Sequence, residues 1–254
     1  MNKPTYFCIV TTARSGSTWL ATLLNSHPEI KSLEEPFIWR ANRPNWNEEI
    51  PTYYEYSNGK GGIHIFTTFN YINLMKSQYF ENATGAVGFK VMYNHLSRNP
   101  LILAKLVTSR FKLIHLVREN YLDILISRTS AKESKIFHST HMSGSDSGKF
   151  KKGVELEIST LRTNLTRYRR NAKFIRLLLK AIPLPVHEIR YEEMAADREK
   201  VLKSVSKYLS VPFSTDYFHS DLKRLQAGDY RNKITNYEEV KNALRDTEFE
   251  YLLF

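Results

Sequence analysis

Cysteine is almost missing from this chain: Cys8 is the only one in 254 residues. No intrachain disulfide can form, a cysteine-based metal cluster is excluded, and a reducing compartment is the natural default. Glycine and proline are sparse, at 10 and 9, which excludes collagen-like and low-complexity classes. No apolar run approaches the roughly 18 to 20 residues that span a bilayer. The opening MNKPTYFCIVTTARSG holds too short an apolar run for a signal peptide. The expectation is a soluble, unprocessed, cytoplasmic protein without integral membrane contact. Acidic residues are also short: 26 Asp and Glu face 37 Lys and Arg, a formal net charge of +11. Such an excess attracts polyanions or phosphate-rich cofactors.

What remains is a globular composition, 42% apolar, in a chain long enough to bury a substantial core. Neither a repeat nor a long linker divides it, so one domain over 1–254 is expected. Short apolar runs at 6–10, 87–92, 112–117 and 186–189 read as strands. Helical patterns follow at 18–25, 100–109, 121–132, 156–180 and 198–209. Strands alternating with helices predict an α/β fold with a parallel sheet. Asn99-Pro100 predicts a cap and a first-turn proline. Two segments break the alternation. An aromatic-rich insertion at about 37–82 reads as an acceptor-binding lid or as a satellite core, and a Ser/Gly/Lys/His-rich stretch at about 134–153 reads as a mobile loop. Arg162, Arg167, Arg169, Arg170, Lys173, Arg176 and Lys180 give one helix a solvated basic face.

The strongest local signal is an apolar strand running through Arg14-Ser15-Gly16-Ser17-Thr18-Trp19 into a helix. Backbone N–H groups and the positive end of the helix dipole suit a phosphate or sulfate there. Ser15, Ser17 and Thr18 add hydroxyls, and Gly16 permits close backbone approach. The loop lacks the second Gly and the Lys of a Walker A sequence, which disfavours nucleoside triphosphate hydrolysis.

This run resembles the phosphosulfate loop, [RK]-S-G-[ST]-[ST], of sulfotransferases that use 3′-phosphoadenosine 5′-phosphosulfate (PAPS). In the carbohydrate and tyrosylprotein branches and their bacterial relatives the loop is followed by H/N-P-[DE] and a catalytic Glu. Here the run is His27-Pro28-Glu29, then Glu34-Glu35-Pro36, with Glu35 at 21 positions after Arg14. Arg118 at the end of a strand, then Asn120 and Ser127, resembles the 3′-phosphate site, although the Arg-to-Ser spacing is nine where eight is usual. Lys223, Arg224 and Gly228, leading into Asp229 to Asn232, resemble the segment that closes over the 3′-phosphate. Tyr191 in Arg190-Tyr191-Glu192-Glu193-Met194 resembles an adenine-contacting Tyr, with a buried structural Tyr as the alternative.

The resemblance implies a three-layer α/β fold of the P-loop NTPase-like sulfotransferase type, with a central parallel β-sheet. It implies PAPS as donor without a metal, and in-line sulfuryl transfer to an acceptor hydroxyl, on a carbohydrate or glycolipid or on another small molecule, rather than binding of nucleic acid. It assigns Glu35 as the base and Arg14 as the group that stabilises the sulfuryl oxygens and the departing phosphate. Trp19 belongs to the same cofactor loop. Glu34 competes with Glu35 for the role of base. His95 reads as an acceptor-site or structural residue, and Lys90 as a surface lysine that could also balance charge. The competing functions are a P-loop-like nucleotide kinase and a non-catalytic basic protein that binds polyanions.

Overall fold

The structure, a computed structural model, describes residues 3–38, 50–59, 64–80, 85–134, 153–222 and 229–253. The chain forms two compact units, Met1–Val117 with Ile175–Ser220, and Arg118–Phe174 with Asp221–Phe254. Its strands are β1 Thr5–Thr11, β2 Ile30–Leu33, β3 Ala86–Met92, β4 Lys112–Val117 and β5 Val186–Arg190. The helices are α1 Ser17–Asn25, α2 Tyr53–Tyr56, α3 Ile65–Leu74, α4 Tyr93–Arg98, α5 Leu101–Thr108, α6 Tyr121–Ser134, α7 Ile158–Ala181, α8 Tyr191–Ala196, α9 Arg198–Leu209, α10 Tyr230–Lys233 and α11 Tyr237–Leu244.

In the first unit all five strands pair in parallel, in the order β2-β3-β1-β4-β5. Strand periodicity sorts the apolar residues to two faces. Phe7 and Ile9 of β1 and Ile114 and Leu116 of β4 pack with Leu20, Leu23 and Leu24 of α1 and with Leu202 and Val205 of α9. Cys8, Val10, Val87, Phe89 and Val91 face the other way, onto Tyr71 and Ile72 of α3, Ile102 and Leu106 of α5, and Ile175 and Leu179 of α7. The result is the expected helix–sheet–helix layering. Each large apolar side chain buried in these layers contributes about 1.5–3 kcal/mol. Central strands covered on both faces read as near-continuous apolar runs, and this is why β1, β3 and β4 are visible in the sequence.

Other elements departed from expectation. β2 was not anticipated: it is a four-residue edge strand, IKSL, with too few positions to show alternation. The aromatic-rich stretch contains a regular ten-residue helix, α3. Phe37, Tyr53, Tyr71 and Phe80 are all buried against the sheet, so these aromatics fill core. Asn99 does not cap α5. Its side chain instead donates to Thr68 Oγ1 at 2.8 Å within a buried cluster that also holds the Tyr53 hydroxyl. The stretch expected as a mobile loop falls almost wholly outside the described residues.

In the second unit, Leu161, Leu165 and Tyr168 bury the inner face of α7. Asn236 pins the chain before α7, accepting from Leu156 N–H and donating to Leu156 C=O. Arg162, Arg167 and Arg170 are exposed, as a solvated basic face requires. Arg169 is held by Glu248 at 2.6 Å.

Candidate active site

In open parallel sheets ligands bind beyond the carboxyl ends of the strands. In the first unit those ends lead into the loop after β1, Glu34 after β2, α4 after β3 and Tyr191 after β5. The loop has two left-handed residues, Arg14 at φ 68° and Gly16 at φ 84°. A left-handed Arg costs about 1–2 kcal/mol, and such strain clusters where a backbone is shaped for a ligand. Gly16 is the N-cap of α1 and brings no side chain to cap it, and the first turn carries no acidic residue. The geometry therefore suits an anion at the start of α1.

Ser15 does not turn its hydroxyl outward. It is fully buried, 2.6 Å from Thr11 Oγ1 and 2.8 Å from Thr12 C=O, while Thr11 Oγ1 donates to Leu116 C=O at 2.8 Å. Its side chain thus ties the loop to the end of β1, which Thr11 joins to β4, and leaves the backbone N–H as what Ser15 can offer an anion. Tyr191 lies over Gly16, and its ring centroid is 6.2 Å from that of Trp19 in an edge arrangement. His27 is also structural: Nδ1 accepts from Glu29 N–H at 3.0 Å and Nε2 donates to Pro212 C=O at 2.9 Å.

Lys90 overturns the surface-lysine expectation. It is fully buried on β3, on the face that carries α1. Its Nζ lies 2.5 Å from Glu34 Oε2, 3.6 Å from Glu35 Oε1 and 3.4 Å from Thr18 Oγ1. A buried ammonium requires such partners. The available signal was a lysine inside the otherwise apolar run Ala86–Met92, which sheet pairing was bound to bury. His95 is buried, with Nδ1 accepting from Met92 N–H at 3.3 Å, so it caps α4.

On the opposite face of the sheet a polar chain crosses the apolar layer. Tyr93 OH is 2.7 Å from His115 Nε2, His115 Nδ1 is 3.0 Å from Glu188 Oε2, and Arg176 makes a two-pronged contact to Glu188 at 2.9–3.1 Å. Burial chiefly pushes the His115 imidazole below its ordinary value, against the pull of Glu188. Burial alone raises the Glu188 carboxyl, but the Arg176 fork and His115 together bring it below its ordinary value. The neutral imidazole therefore donates from Nδ1 to Glu188 and accepts the Tyr93 proton at Nε2.

The second unit holds the segment expected to contact the 3′-phosphate. Arg118 is buried and its Nη2 lies 2.5 Å from Asp123 Oδ2. Asp123 Oδ1 is 3.7 Å from Lys233 Nζ, and Asn120 donates to the Tyr230 hydroxyl at 2.7 Å. Burial, then the Asp123 charge, pushes the Tyr230 phenol up to about 12. Two segments about 110 positions apart, 118–127 and 229–233, thus converge. Residues 118–120 precede α6, and Ser127 follows Asp123 by four on that helix. Asp123, Tyr230 and Lys233 were not singled out from the sequence. Lys223, Arg224 and Gly228 lie outside the described residues.

Among solved structures, the chain is similar to a sulfotransferase from Alicyclobacillus acidocaldarius, with 17% identity over 100% of this chain and 96% of that one and a TM-score of 0.49. It is also similar to sulfotransferase STF9 from Mycobacterium avium, with 14% identity over 98% and 79% and a TM-score of 0.47. A third is mouse sulfotransferase SULT7A1 complexed with PAP, with 14% identity over 100% and 89% and a TM-score of 0.44. No curated protein matches the chain. The sulfotransferase domain model matches residues 4–251, almost the whole length, and the chain therefore belongs to the sulfotransferase family, enzymes of sulfuryl transfer.

Proposed function

We propose that this enzyme takes its sulfuryl group from PAPS and passes it to an acceptor hydroxyl by in-line displacement, with Glu35 as general base. The observation that carries this reading is the placement of Lys90 Nζ among Glu34, Glu35 and Thr18 of α1. The donor supplies an activated sulfur whose bond to the phosphate bridge oxygen breaks as the bond to the acceptor oxygen forms. Glu35 takes the acceptor's proton. Arg14 and the α1 N-terminus hold the sulfuryl oxygens and the 5′-phosphate, with Ser17, Thr18 and Trp19 in the same turn. Glu34, the closer partner of Lys90, holds that cation, and Glu35 stands one step farther off. That difference supports Glu35 over Glu34 as base.

In the second unit, Arg118 and Ser127 are assigned to the 3′-phosphate, with Lys223, Arg224 and Gly228 assigned to the same group by resemblance. A planar guanidinium fork suits phosphate oxygens. Tyr191 is assigned to the adenine side of the loop, a role supported by its seat on Gly16. The acceptor class to test first is a carbohydrate or glycolipid hydroxyl, on the strength of the Glu35-Pro36 motif alone, because the buried aromatics around Tyr71 offer no surface for a sugar face. The reading includes a cytoplasmic setting, supported by the single Cys8, which is free and buried.

Calorimetric titration with adenosine 3′,5′-diphosphate, against 5′-AMP and ATP at two salt concentrations, tests the donor. Binding is expected to require the 3′-phosphate, and Arg118→Ala should weaken it by about 10- to 100-fold. Equal affinity for 5′-AMP would remove the PAPS reading. For the base, Glu35→Gln is expected to lose about 100-fold or more in turnover while still binding the diphosphate.

A further inference from the structure

We infer that Tyr71 is a positioning residue for the catalytic turn, its buried hydroxyl fixing the Glu34-Glu35-Pro36 backbone on which the base stands. This rests on the assignment of Glu35 above. Three consecutive carbonyls of that turn are each held by a donor. Glu34 C=O accepts from Lys90 N–H at 3.3 Å, and Glu35 C=O from Ile38 N–H at 3.3 Å. Pro36 C=O accepts from Tyr53 N–H at 2.8 Å and from Tyr71 OH at 3.2 Å. The phenol's single proton is shared between that carbonyl and Pro51 C=O, the nearer acceptor at 2.8 Å. One side chain therefore joins the turn to the segment that leads into α2.

The setting is rigid. Tyr71 has no solvent exposure, and its ring packs edge-on against Phe37 at 5.3 Å and Tyr53 at 5.4 Å. Phe37 in turn lies 5.9 Å from Phe89, the β3 residue before Lys90. The turn and the cation it faces are thus referred to one aromatic cluster. Burial, with a smaller push from Glu55, raises the Tyr71 phenol well above its ordinary value, so it remains a donor throughout the working pH range. Glu35 precedes a proline, which restricts its backbone to extended conformations. With the Pro36 carbonyl fixed as well, the direction in which Glu35 leaves the backbone is set at both ends. A base displaced by about 1 Å can cost up to about 100-fold in rate. Removal of one of two donors to Pro36 should displace it less than that.

The test compares Tyr71→Phe with Thr68→Val. Thr68 is also buried on α3, and its hydroxyl bonds Tyr53 OH and Asn99 rather than the turn. Tyr71→Phe is expected to lower kcat about tenfold, with the acceptor KM and the Kd for adenosine 3′,5′-diphosphate within about twofold. Thr68→Val should lose comparable stability yet keep kcat within about twofold. A Tyr71→Phe enzyme with unchanged kcat, or one no slower than Thr68→Val, overturns the inference. Glu35→Gln in the same series separates the two readings. Turnover that survives there removes the base and this inference with it, whereas turnover lost there but kept in Tyr71→Phe removes Tyr71 alone. If Tyr71→Phe does not fold, amide exchange in the unmodified enzyme decides: protection of the Tyr53 and Ile38 amides comparable to β3 supports the clamp, and exchange as fast as exposed loops overturns it.

Discussion

The ring of Tyr191 lies directly on Gly16, so closely that a Cβ built on the glycine falls 2.4 Å from Tyr191 Cδ2. Gly16 also has φ 84°, so two independent constraints demand glycine. Gly16→Ala is expected to destabilise the enzyme by about 1–3 kcal/mol and to weaken diphosphate binding. The double variant Gly16→Ala/Tyr191→Ala should recover only the part due to the ring, leaving the backbone strain. Urea midpoints of the two variants measure both parts, and full recovery in the double variant would show that the left-handed φ carries no cost.

Lys90 should not tolerate replacement by another shape. Lys90→Met removes the buried cation that Glu34 and Glu35 share, and on the proposed reading a loss of about 100-fold in kcat is expected with the loss of a preorganised charge. Lys90→Arg should recover little, because a forked guanidinium does not fit a slot built for a point charge with no solvent exposure. Diphosphate titration of both variants checks that the donor site survives. Turnover near the unmodified level in Lys90→Met would remove the lysine from the reaction.

Stability should fall as pH is lowered below the ordinary imidazole value of 6.5. His115 is held below that value by burial, and His187 shifts the same way for the same reason. The unfolded chain then takes up protons that the folded chain refuses, so the stabilisation is complete above 6.5 and is lost downward until the folded imidazoles titrate. The slope is about 1.4 kcal/mol per pH unit for each proton. Glu188, held below its ordinary value of 4.5, adds a loss in the more acidic carboxylate range. His115→Gln should flatten the upper window partly, leaving the slope due to His187. Chemical denaturation from pH 7 downward in about half-unit steps reads this directly, and an unchanged slope in the variant would place the dependence elsewhere.

Asp123 holds Arg118 and Lys233 together in the second unit. Asp123→Asn should keep the helix and lose the charge pairing of two buried cations, at about 1–3 kcal/mol. The preference for 3′,5′-diphosphate over 5′-AMP should fall with it, because an Arg without its anchor is less well aimed. A thermal melt and the two titrations separate the effects, and unchanged preference would leave Asp123 a purely structural role.

The amino-acid order alone determined the parts that are local. The β1 loop and α1 are adjacent in sequence, so a strand, a small-residue turn with Gly16 open to close approach, and a helix N-terminus are legible before and within Arg14 to Trp19. The apolar runs of β1, β3 and β4 are legible because buried parallel strands show them. Tertiary structure decided the rest, because it depends on which surfaces meet. Lys90 becomes a buried cation only once β3 is covered on both faces, and Glu34 becomes its partner only once β2 pairs with β3. Ser15 turns inward because Thr11 and Leu116 meet across β1 and β4. The aromatics around Tyr71 become a clamp rather than an open surface because the sheet gives them a face to fill. Pairing partners distant in sequence carry no periodic signal, so these roles exist only in the folded chain.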